Sequence, residues 1–589
     1  MKKRVISAFL CTVMAVSLLT GCGSDEKKSA DNKGSKDGNY EEFITVDVYD
    51  EFANYQGVQS GWFAKIVKDK FNMELNIIAP NVAGGGQTLY QTRSAAGELG
   101  DLVLVNTSNG KLNDLVSSGL IIDCTDLMDG KDIVENYGEA IDVTNEGLPE
   151  EGMFAFPNSV STDAATESSE GLEPTFGPYI RWDYYKELGY PKMENLDAFL
   201  DVLEDMQKLA REKEGSDDIY AISLFKDWDD NMMNNANQPA CMYGYDEVGF
   251  VLSKADGTEE QSILDDDSIY IDVLDFFYEA NQRGLVDPDS TTQNYDTWST
   301  KYTNGKTLYC PWPWVGQSMY NTAENKAAGK GFMFAPVKDM KIFSYGCCPV
   351  GNTQKVIAIG SQAEDPQRLA DFIDWLYSPE GVEINQASNN CAGPEGLCWE
   401  MVDGKPVKTE FGEKALPTND VEVPEEWGGG SWKDGISTLN FECVSRTDIN
   451  PKTGATYDWS MWESTISNTT SPLEEDWRAH MGANTTMEYL ENNDMILVAP
   501  GSSYTTPEED SSIQTVRGQC KAAVVDNSWK MIFAKDKAEF DKYLTEMRET
   551  TEGLGFEDVL EVDMQHAKDQ DAARKASAEE FSTAKNVEE

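Results

Sequence analysis

Two tryptophans alternate with two prolines near the middle of the 589-residue chain, in the sequence PWPW at residues 311–314. Each proline fixes its own φ and pushes the preceding residue towards an extended backbone. The pattern therefore predicts a stiff, extended segment that presents Trp312 and Trp314, rather than a helix that contains them. A flat indole on such a support suits stacking against the apolar face of a sugar ring or another flat ligand. Tryptophan also anchors hydrophobic cores, so the residues alone leave both interpretations open.

Polar side chains follow two predicted strands of the N-terminal part. Glu51 and Asn54 come after the alternating sequence at residues 43–49, and Asn106 follows the apolar run at residues 102–105. Open α/β sheets bind ligands beyond the carboxyl ends of their strands, where these residues should lie. Carboxylates and amides can form paired hydrogen bonds with the hydroxyls of a sugar. Turns and helix N-caps favour the same residue types, so each of these residues also fits a structural role.

Trp228 is a third aromatic candidate. It follows a predicted strand at residues 220–225. This position allows the indole to face a cleft, and packing against the protein interior is the alternative.

The sequence contains no recognisable catalytic motif. Its two histidines, His480 and His566, belong to no zinc or triad signature, and neither a Gly-x-Ser-x-Gly nucleophile elbow nor a Walker loop is present. We therefore predict a protein that is not an enzyme and that has no catalytic residue, cofactor or metal site. A carboxylate pair of the glycosidase type stays open, because 104 acidic residues would hide one.

The charge of the chain excludes some classes of partner. The formal net charge is −56, with 104 acidic and 48 basic residues. Nucleic acids and anionic lipid surfaces require basic patches, so we predict that the protein binds neither. The cysteines are scattered without zinc-type spacing, and most are predicted to be small buried residues, with a Cys391–Cys398 bridge as an open possibility.

Strands and helices alternate along the N-terminal part. Strand-like runs at residues 43–49, 73–78 and 102–105 are separated by helical spacing of apolar residues at 59–71 and by a second helix near residues 89–97. Such alternation predicts a parallel α/β sheet.

Several motifs together resemble family 1 extracellular solute-binding proteins of ABC importers, the family of maltose-binding protein. They are Gly-Lys with a short strand and Pro-Trp-x-Trp at residues 305–314, the sequence FFYEANQRGLVDPD at residues 276–289, and the Asp-Pro … Trp-Leu-x-Ser-Pro-Glu-Gly element at residues 365–381. Residues 179–191, YIRWDYYKELGYP, resemble the helix entry of the second lobe. The resemblance covers most of the chain up to about residue 381 and weakens beyond it.

The resemblance implies a two-lobed periplasmic-binding-protein-like fold of type II, with a ligand cleft between the lobes and hinge strands that cross it. It also implies that Trp312 stacks on the ligand, and it adds Trp182 as a candidate where the family often has lysine or asparagine. The implied function is capture of a carbohydrate, an oligosaccharide in particular, and delivery to an ABC transporter permease. The alternatives are a surface glycoside hydrolase, a glycan-binding adhesin, or a binding protein for a peptide or another small solute.

The N-terminus has the pattern of a lipoprotein signal peptide. Basic residues at positions 2–4 precede an apolar run at residues 5–19, which is short for a membrane span. The ending Leu-Thr-Gly-Cys resembles a bacterial lipobox, which implies cleavage before Cys22 and a diacylglycerol thioether on its sulfur. The acyl chains of this group, palmitate among them, would then hold the protein at the outer face of the cell membrane. Residues 22–40 are predicted to be a flexible tether.

The remaining length predicts two lobes in a monomeric protein. We expect the first lobe to contain residues 41–155 and about 341–392. The second lobe should contain residues 156–340 and about 393–550, and residues 551–589 should form a C-terminal helical segment.

Overall fold

The computed structural model describes residues 40–583 except residues 84–85, 109, 419, 469 and 508. The predicted signal peptide, the predicted lipidation site Cys22 and residues 22–39 of the predicted tether lie outside the described residues. No helix in the described part of the chain is long and apolar enough to cross a membrane.

The strands are short and are spread over the whole chain. They are β1 (Ile44–Asp50), β2 (Gly57–Val58), β3 (Met73–Ile78), β4 (Leu102–Asn106), β5 (Phe156–Asn158), β6 (Tyr179–Arg181), β7 (Tyr245–Val248), β8 (Val251–Lys254), β9 (Glu260–Ser262), β10 (Tyr309–Cys310), β11 (Phe332–Phe334), β12 (Ile342–Tyr345), β13 (Asn352–Ile359), β14 (Trp399–Val402), β15 (Lys405–Lys408) and β16 (Ile496–Ala499).

The helices account for more of the chain than the strands. They are α1 (Gly61–Phe71), α2 (Pro80–Ala83), α3 (Gly86–Ala96), α4 (Lys111–Ser117), α5 (Thr125–Met128), α6 (Asp132–Asn145), α7 (Trp182–Glu187), α8 (Leu196–Glu214), α9 (Asn234–Cys241), α10 (Ile269–Gln282), α11 (Tyr295–Thr303), α12 (Pro313–Tyr320), α13 (Ala323–Ala327), α14 (Pro366–Tyr377), α15 (Pro379–Asn385), α16 (Glu410–Thr418), α17 (Glu463–Asn468), α18 (Pro472–Met481), α19 (Thr486–Asn492), α20 (Ser511–Ile532), α21 (Lys537–Leu554) and α22 (Phe556–Glu580).

The first lobe is built on a six-stranded sheet with the order β2-β3-β1-β4-β13-β5. Strands β3, β1 and β4 are parallel, as the alternation of strands and helices predicted, and β13 pairs antiparallel with β4. The central strand β4 is buried on both faces, because Leu102 and Leu104 pack into one hydrophobic cluster and Val103 and Val105 into another. Helices therefore cover both sides of this sheet, as expected for a parallel strand with a continuous apolar run.

The second lobe has a separate core. Its buried cluster extends from Phe176 to Phe343 and resumes between Leu473 and Val559. Short sheets lie in this lobe, including β10-β6-β11 and β7-β8-β9. The C-terminal helices α20, α21 and α22 contribute Val524, Met547 and Val559 to the same cluster, so they belong to the body of this lobe.

The packing corrects the predicted division of the chain after residue 393. Residues from Leu397 to Trp462 are buried with β1, β3 and α1 in the first lobe, not with the second lobe. Trp432 stacks on Trp62 of α1 with ring centroids 4.4 Å apart and an interplanar angle of 6°. This long segment packs on the first lobe through contacts between residues that are distant in sequence. No local sequence pattern reveals such contacts.

Three segments join the lobes, at residues 159–175, 346–351 and 463–471, the last without residue 469. The first two are hydrogen-bonded to each other, because the Cys347 N–H donates to the Glu167 carbonyl at 2.8 Å and the Ser161 N–H to the Cys348 carbonyl at 3.1 Å. The buried Asp448 of the first lobe accepts the Ser161 hydroxyl at 2.7 Å. These bonds tie the crossing segments to the first lobe.

Helix α12 corrects the prediction for the Pro-Trp repeat. Trp312 is the N-cap and is extended, with φ −129° and ψ 130°, but Pro313 begins a helix that contains Trp314. Proline is favoured at the first helical position, because its N–H would have no partner there and its φ already suits a helix. The second proline thus starts a helix instead of prolonging the extended segment.

Polar side chains cap two of the helices. Asn195 caps α8 through the Ala198 N–H, and Asp365 caps α14 through the Arg368 N–H. Strands β14 and β15 form a hairpin with an Asp-Gly turn, in which Asp403 and Gly404 have φ of 52° and 80°. Cys391 and Cys398 are buried free thiols in the structure, so the possible bridge is not formed.

Candidate ligand-binding cleft

A cavity of about 950 Å³ lies where the crossing segments join the two lobes. The first lobe contributes Asn352 and Gln354 from the start of β13, which runs antiparallel to β4 and therefore begins at the carboxyl end of that strand. Polar and aromatic side chains from both lobes also line the cavity. They are Glu170 and Tyr345 beside the crossings, Asn389, Glu442 and Arg446 of the first lobe, and Asn231, Asp246, Glu247, Tyr504, Glu509, Arg517, Asp563, His566 and Arg574 of the second lobe.

Glu170 lies beside the first crossing segment. Its Oε2 accepts the Thr175 N–H at 3.1 Å and the Thr175 hydroxyl at 3.0 Å. Its Oε1 is buried and has no hydrogen-bond partner in the described part of the chain. Burial raises the pKa of this carboxyl to about 6, although the bonds from Thr175 oppose the shift. Glu170 therefore keeps acceptor capacity for a hydroxyl donor.

Two arginines form ion pairs on the second-lobe wall. The Arg517 guanidinium binds Glu509 and also donates to both carboxylate oxygens of Asp563, at 2.6 and 3.0 Å. Arg574 pairs with Asp246 at 2.6 Å. Side-chain ligand atoms of Glu509, Asp563 and His566 also lie within 4.8 Å of one another, but the Arg517 guanidinium already pairs with both carboxylates.

Glu247 stands next to these pairs without a salt bridge of its own in the described residues. Its Oε2 accepts the Asn237 side-chain N–H at 2.7 Å. Burial raises the pKa of Glu247 to about 8, and the neighbouring carboxylates of Asp230 and Asp246 add to the shift. The wall therefore carries more carboxyl groups than guanidinium groups, and Glu247 stays protonated up to its pKa of about 8.

Tyr345 supplies an aromatic surface in the cavity. It lies at the end of β12, just before the second crossing segment, and 45% of its surface is exposed. The Phe343 ring packs edge-on against it at 4.8 Å between centroids, and Phe176 lies 6.3 Å away. Phe343 and Phe176 thus support the Tyr345 ring, and its exposed part is accessible to a ligand.

Three of the predicted tryptophans form one cluster on the second lobe. Trp228 and Trp314 are 39% and 42% exposed, with centroids 6.0 Å apart and an interplanar angle of 30°. Tyr295 stacks behind Trp228 at 4.7 Å. The two exposed indoles form a firmly supported aromatic surface. Asn231 follows Trp228 by three residues and lines the cavity, so one loop carries both features.

Trp312 supports this cluster from below. It is 3% exposed, and its indole N–H donates to the Gln238 side-chain oxygen at 2.8 Å. Its ring centroid lies 5.4 Å from that of Trp314 and 5.7 Å from that of Trp228. Its stacking on a ligand stays a prediction, and in this conformation the accessible aromatic surface belongs to its two neighbours.

The predicted polar residues of the first lobe divide into a cluster and a single exposed residue. Glu51 pairs with Lys111 at 2.7 Å and accepts the Asn106 N–H at 3.0 Å. The Asn106 side chain accepts the Ser108 N–H at 2.8 Å, which is the turn role foreseen as the alternative. Asn54 is exposed and lies after β1. The preceding Asp50 is fully buried, and burial raises its pKa to about 8.

The structure does not support Trp182 as a ligand contact. The side chain is 1% exposed and its N–H donates to Asp476 at 2.8 Å. Tyr185 and Tyr190 pack against it with centroids at 5.3 and 5.4 Å, so no face of the indole is free. This is the core-anchor role of a tryptophan at the first position of a helix against a second-lobe core.

None of the seven predicted ligand-binding residues is part of the cavity lining. The lining comes from the crossing segments, from residues 231–249, 352–354 and 389–446, and from residues 499–574, the last a part of the chain without recognised motifs. The signal available in the sequence would have been charged residues on the inward face of a C-terminal helix. Most charged residues on such helices face solvent, so this signal does not identify a site. The assignment required the tertiary structure.

No protein-family model and no curated protein sequence matches the chain. Solved structures do match. FusA, the substrate-binding protein of an ABC transporter from S. pneumoniae, solved with kestose, is similar at 14% identity and a TM-score of 0.55, over 90% of this chain and 99% of that chain. An HMO-binding solute-binding protein from Bifidobacterium longum infantis matches at 12% identity and a TM-score of 0.54, over 89% and 98% of the respective chains. The alginate-binding protein AlgQ2 matches at 14% identity and a TM-score of 0.54, over 90% and 99%.

The chain therefore has the two-lobed α/β fold of ABC-transporter substrate-binding proteins. The predicted fold class is confirmed, and the three structures support the resemblance seen in the sequence.

Proposed function

We propose that this protein captures an oligosaccharide between its lobes and delivers it to the permease of an ABC importer. The observation that carries the proposal is the cavity of about 950 Å³ at the crossing segments, lined mainly by hydrogen-bonding side chains. A volume of this size lies at the upper end of the usual range for small-molecule sites, about 300–1,000 Å³. The similar solved proteins include binders of kestose, HMO and alginate, which supports a carbohydrate as the cargo.

The chemistry of the lining suits sugars. Glu170 offers a buried acceptor without a partner, and the amides of Asn231, Asn352 and Gln354 can each donate and accept. Tyr345 presents an aromatic face to the C–H surface of a pyranose or furanose ring.

We infer that the crossing segments act as a hinge that serves binding without chemical change. A ligand that touches both lobes binds the closed state better than the open state, so it shifts the population towards closure. The permease could then recognise the closed form. We propose that the protein acts in this way as a monomer and is not an enzyme.

Isothermal titration calorimetry against a glycan panel, with Tyr345→Ala as the test variant, examines the location of the site. We expect about tenfold weaker binding, because an aromatic contact contributes roughly 1 kcal/mol and tenfold corresponds to about 1.4 kcal/mol. Phe43→Ala is the matched control. Phe43 is 46% exposed and precedes β1, so it lies at the amino end of that strand, away from the carboxyl end that faces the cavity. Unchanged affinity in Tyr345→Ala would place the cargo elsewhere, and glycan cleavage by the purified protein would favour a hydrolase.

Trp314→Ala and Trp228→Ala test the aromatic pair separately. If the pair extends the binding surface, each variant should weaken binding of longer glycans about tenfold, and shorter glycans should bind as before. Equal effects on all lengths would place the pair at the centre of the site. An effect on neither would assign Trp228 and Trp314 to packing.

We further propose that Cys22 carries a lipid anchor and that the protein resides at the outer face of the cell membrane. The supporting observation is the sequence LTGC at residues 19–22 after an apolar run. Mass spectrometry of the N-terminal peptide from a membrane fraction tests this. Cys22→Ser should release the protein into the medium, and retention of that variant in the membrane fraction would contradict the proposal.

A further inference from the structure

Charged groups line the cleft unevenly. Six carboxyl groups and three guanidinium groups line the cleft, and no lysine is part of the lining in the described residues. The carboxyl groups belong to Glu170, Asp246, Glu247, Glu442, Glu509 and Asp563, and that of Glu247 stays protonated up to its pKa of about 8. A cleft of this composition presents a net negative field, which its low-dielectric walls focus on a bound ligand.

Each guanidinium already faces carboxylates of the protein. Arg517 binds Glu509 and Asp563, and Arg574 binds Asp246 at 2.6 Å. The Arg446 Nε lies 3.8 Å from a carboxylate oxygen of Asp458, and the backbone N–H of Arg446 donates to Glu442 at 3.1 Å. An acidic sugar that approached one of these cations would therefore also meet the carboxylates around it.

Three carboxyl groups of the lining lack a salt bridge in the part of the chain that the structure describes. They are Glu170, with its free Oε1, Glu247, which accepts a bond from Asn237, and Glu442, which accepts bonds from the Asn389 side chain and the Arg446 backbone N–H. The lining can accept hydrogen bonds from hydroxyl groups and can meet a cation, but it offers no unpaired cation to a carboxylate. A ligand carboxylate beside these groups would lose its hydration next to like charges, and no cation would offset this cost in free energy.

From this arrangement we infer that the cleft selects uncharged glycans and excludes those that carry carboxylates, such as uronic-acid oligomers. The inference rests on the proposed function, because it specifies the class of cargo for the same site. Acidic glycans are excluded because Arg517 and Arg574 already pair with carboxylates of the protein, so neither cation is available to a ligand carboxylate. Asp246 is then a specificity-determining residue, because its carboxylate occupies Arg574, and Glu247 joins it above its pKa of about 8.

A matched pair of ligands tests the inference on the complete protein. The neutral glycan of the panel that binds most tightly is compared with the same glycan after selective oxidation of its primary alcohols to carboxylates. We expect at least 100-fold weaker binding of the oxidised form. Comparable affinities, or an acidic glycan as the tightest ligand of the panel, would overturn the inference and leave the proposed function intact. If no glycan binds at all, the proposed function fails, and the inference falls with it.

Two variants examine the residues responsible. Asp246→Asn releases Arg574 from its carboxylate. Glu247→Gln is compared at about pH 9, above the Glu247 pKa of about 8, where it removes a negative charge without leaving a cation unpaired. In each variant the ratio of neutral to oxidised affinity should fall at least tenfold. Asp266→Asn is the control, because it makes the same charge change at a side chain that is 95% exposed and outside the lining. An unchanged ratio in both test variants, with folded protein shown by circular dichroism, would contradict the role of the paired cations.

Discussion

Several carboxyl groups of this protein are buried away from cationic partners. Burial raises the pKa of Asp50, Glu247 and Glu383 to about 8 and that of Asp448 to about 7. The folded chain therefore keeps protons that the unfolded chain loses near pH 4 to 5. Because the native state binds more protons in this window, the free energy of unfolding falls as the pH rises from about 5 to about 8.

Glu383→Gln should remove part of this dependence. Glu383 is 2% exposed and accepts the Ala392 N–H and an Asn450 side-chain N–H at 2.6 and 3.1 Å. A neutral amide of similar size keeps the first bond, and Asn450 can rotate its amide to offer its oxygen. Relative to the wild type, the variant should gain up to roughly 1.4 kcal/mol for each pH unit between about pH 5 and pH 8.

Urea unfolding at several pH values measures the difference between Glu383→Gln and the wild type. Glu400→Gln, the same substitution at an exposed position of β14, is the control and should show no comparable trend. A difference that does not change with pH would mean that Glu383 is ionised in the folded protein.

At the scale of elements, the first-lobe segment after residue 393 packs against α1 through a close contact. Trp62 of α1 stacks on Trp432, and its N–H donates to the Trp432 carbonyl at 3.0 Å. Gly61 and Gly435 allow this approach, because a Cβ on Gly61 would lie 2.4 Å from the Gly435 Cα. Backbone proximity of this kind requires glycine on both sides of the contact.

Gly435→Ala should therefore destabilise the protein. The added methyl group would lie 2.5 Å from the Trp62 Cδ1 and 2.9 Å from its backbone nitrogen, so α1 or the segment must move. We expect a loss of about 1–3 kcal/mol, as for other overpacked sites.

Thermal unfolding followed by tryptophan fluorescence measures the effect of Gly435→Ala. Gly518→Ala is the matched control, because it lies within α20 and its Cβ would meet nothing within 4 Å. This control should stabilise by up to about 1 kcal/mol through helix propensity. A Gly435→Ala protein as stable as the wild type would show that the two elements are not tightly packed.

At the scale of the whole molecule, the dominant physical quantity is the net charge of −56. Mutual repulsion among surface carboxylates opposes the compact state. Local pairs such as Lys70 with Glu380 relieve little of it, because basic residues are less than half as numerous as acidic ones.

Added salt should therefore stabilise the protein. Between about 10 mM and about 150 mM NaCl the Debye length falls from roughly 30 Å to roughly 8 Å, so repulsion between distant charges is screened. We expect the melting temperature to rise by several degrees at neutral pH and by less near pH 5, where part of the carboxylates are protonated. A melting temperature that falls with salt would show that ion pairs outweigh the repulsion.

The sequence by itself determined the local elements and the fold class. Alternating and helical spacings predicted β1, β3, β4 and the helices between them, and side-chain caps such as Asn195 and Asp365 fixed helix starts. These features depend on residues a few positions apart, so they can be read from the chain. The Gly-Lys, Pro-Trp and Ser-Pro-Glu-Gly motifs added the two-lobed architecture through resemblance.

The tertiary structure alone decided which surfaces meet. It placed residues 397–462 in the first lobe, buried Trp312 beneath Trp228 and Trp314, and brought Glu170, Glu247 and Arg574 into one cavity. The physical reason is that burial and the pairing of charges arise from packing between segments hundreds of residues apart. A tryptophan or an arginine has the same local sequence signal whether it faces a ligand, a carboxylate or the core.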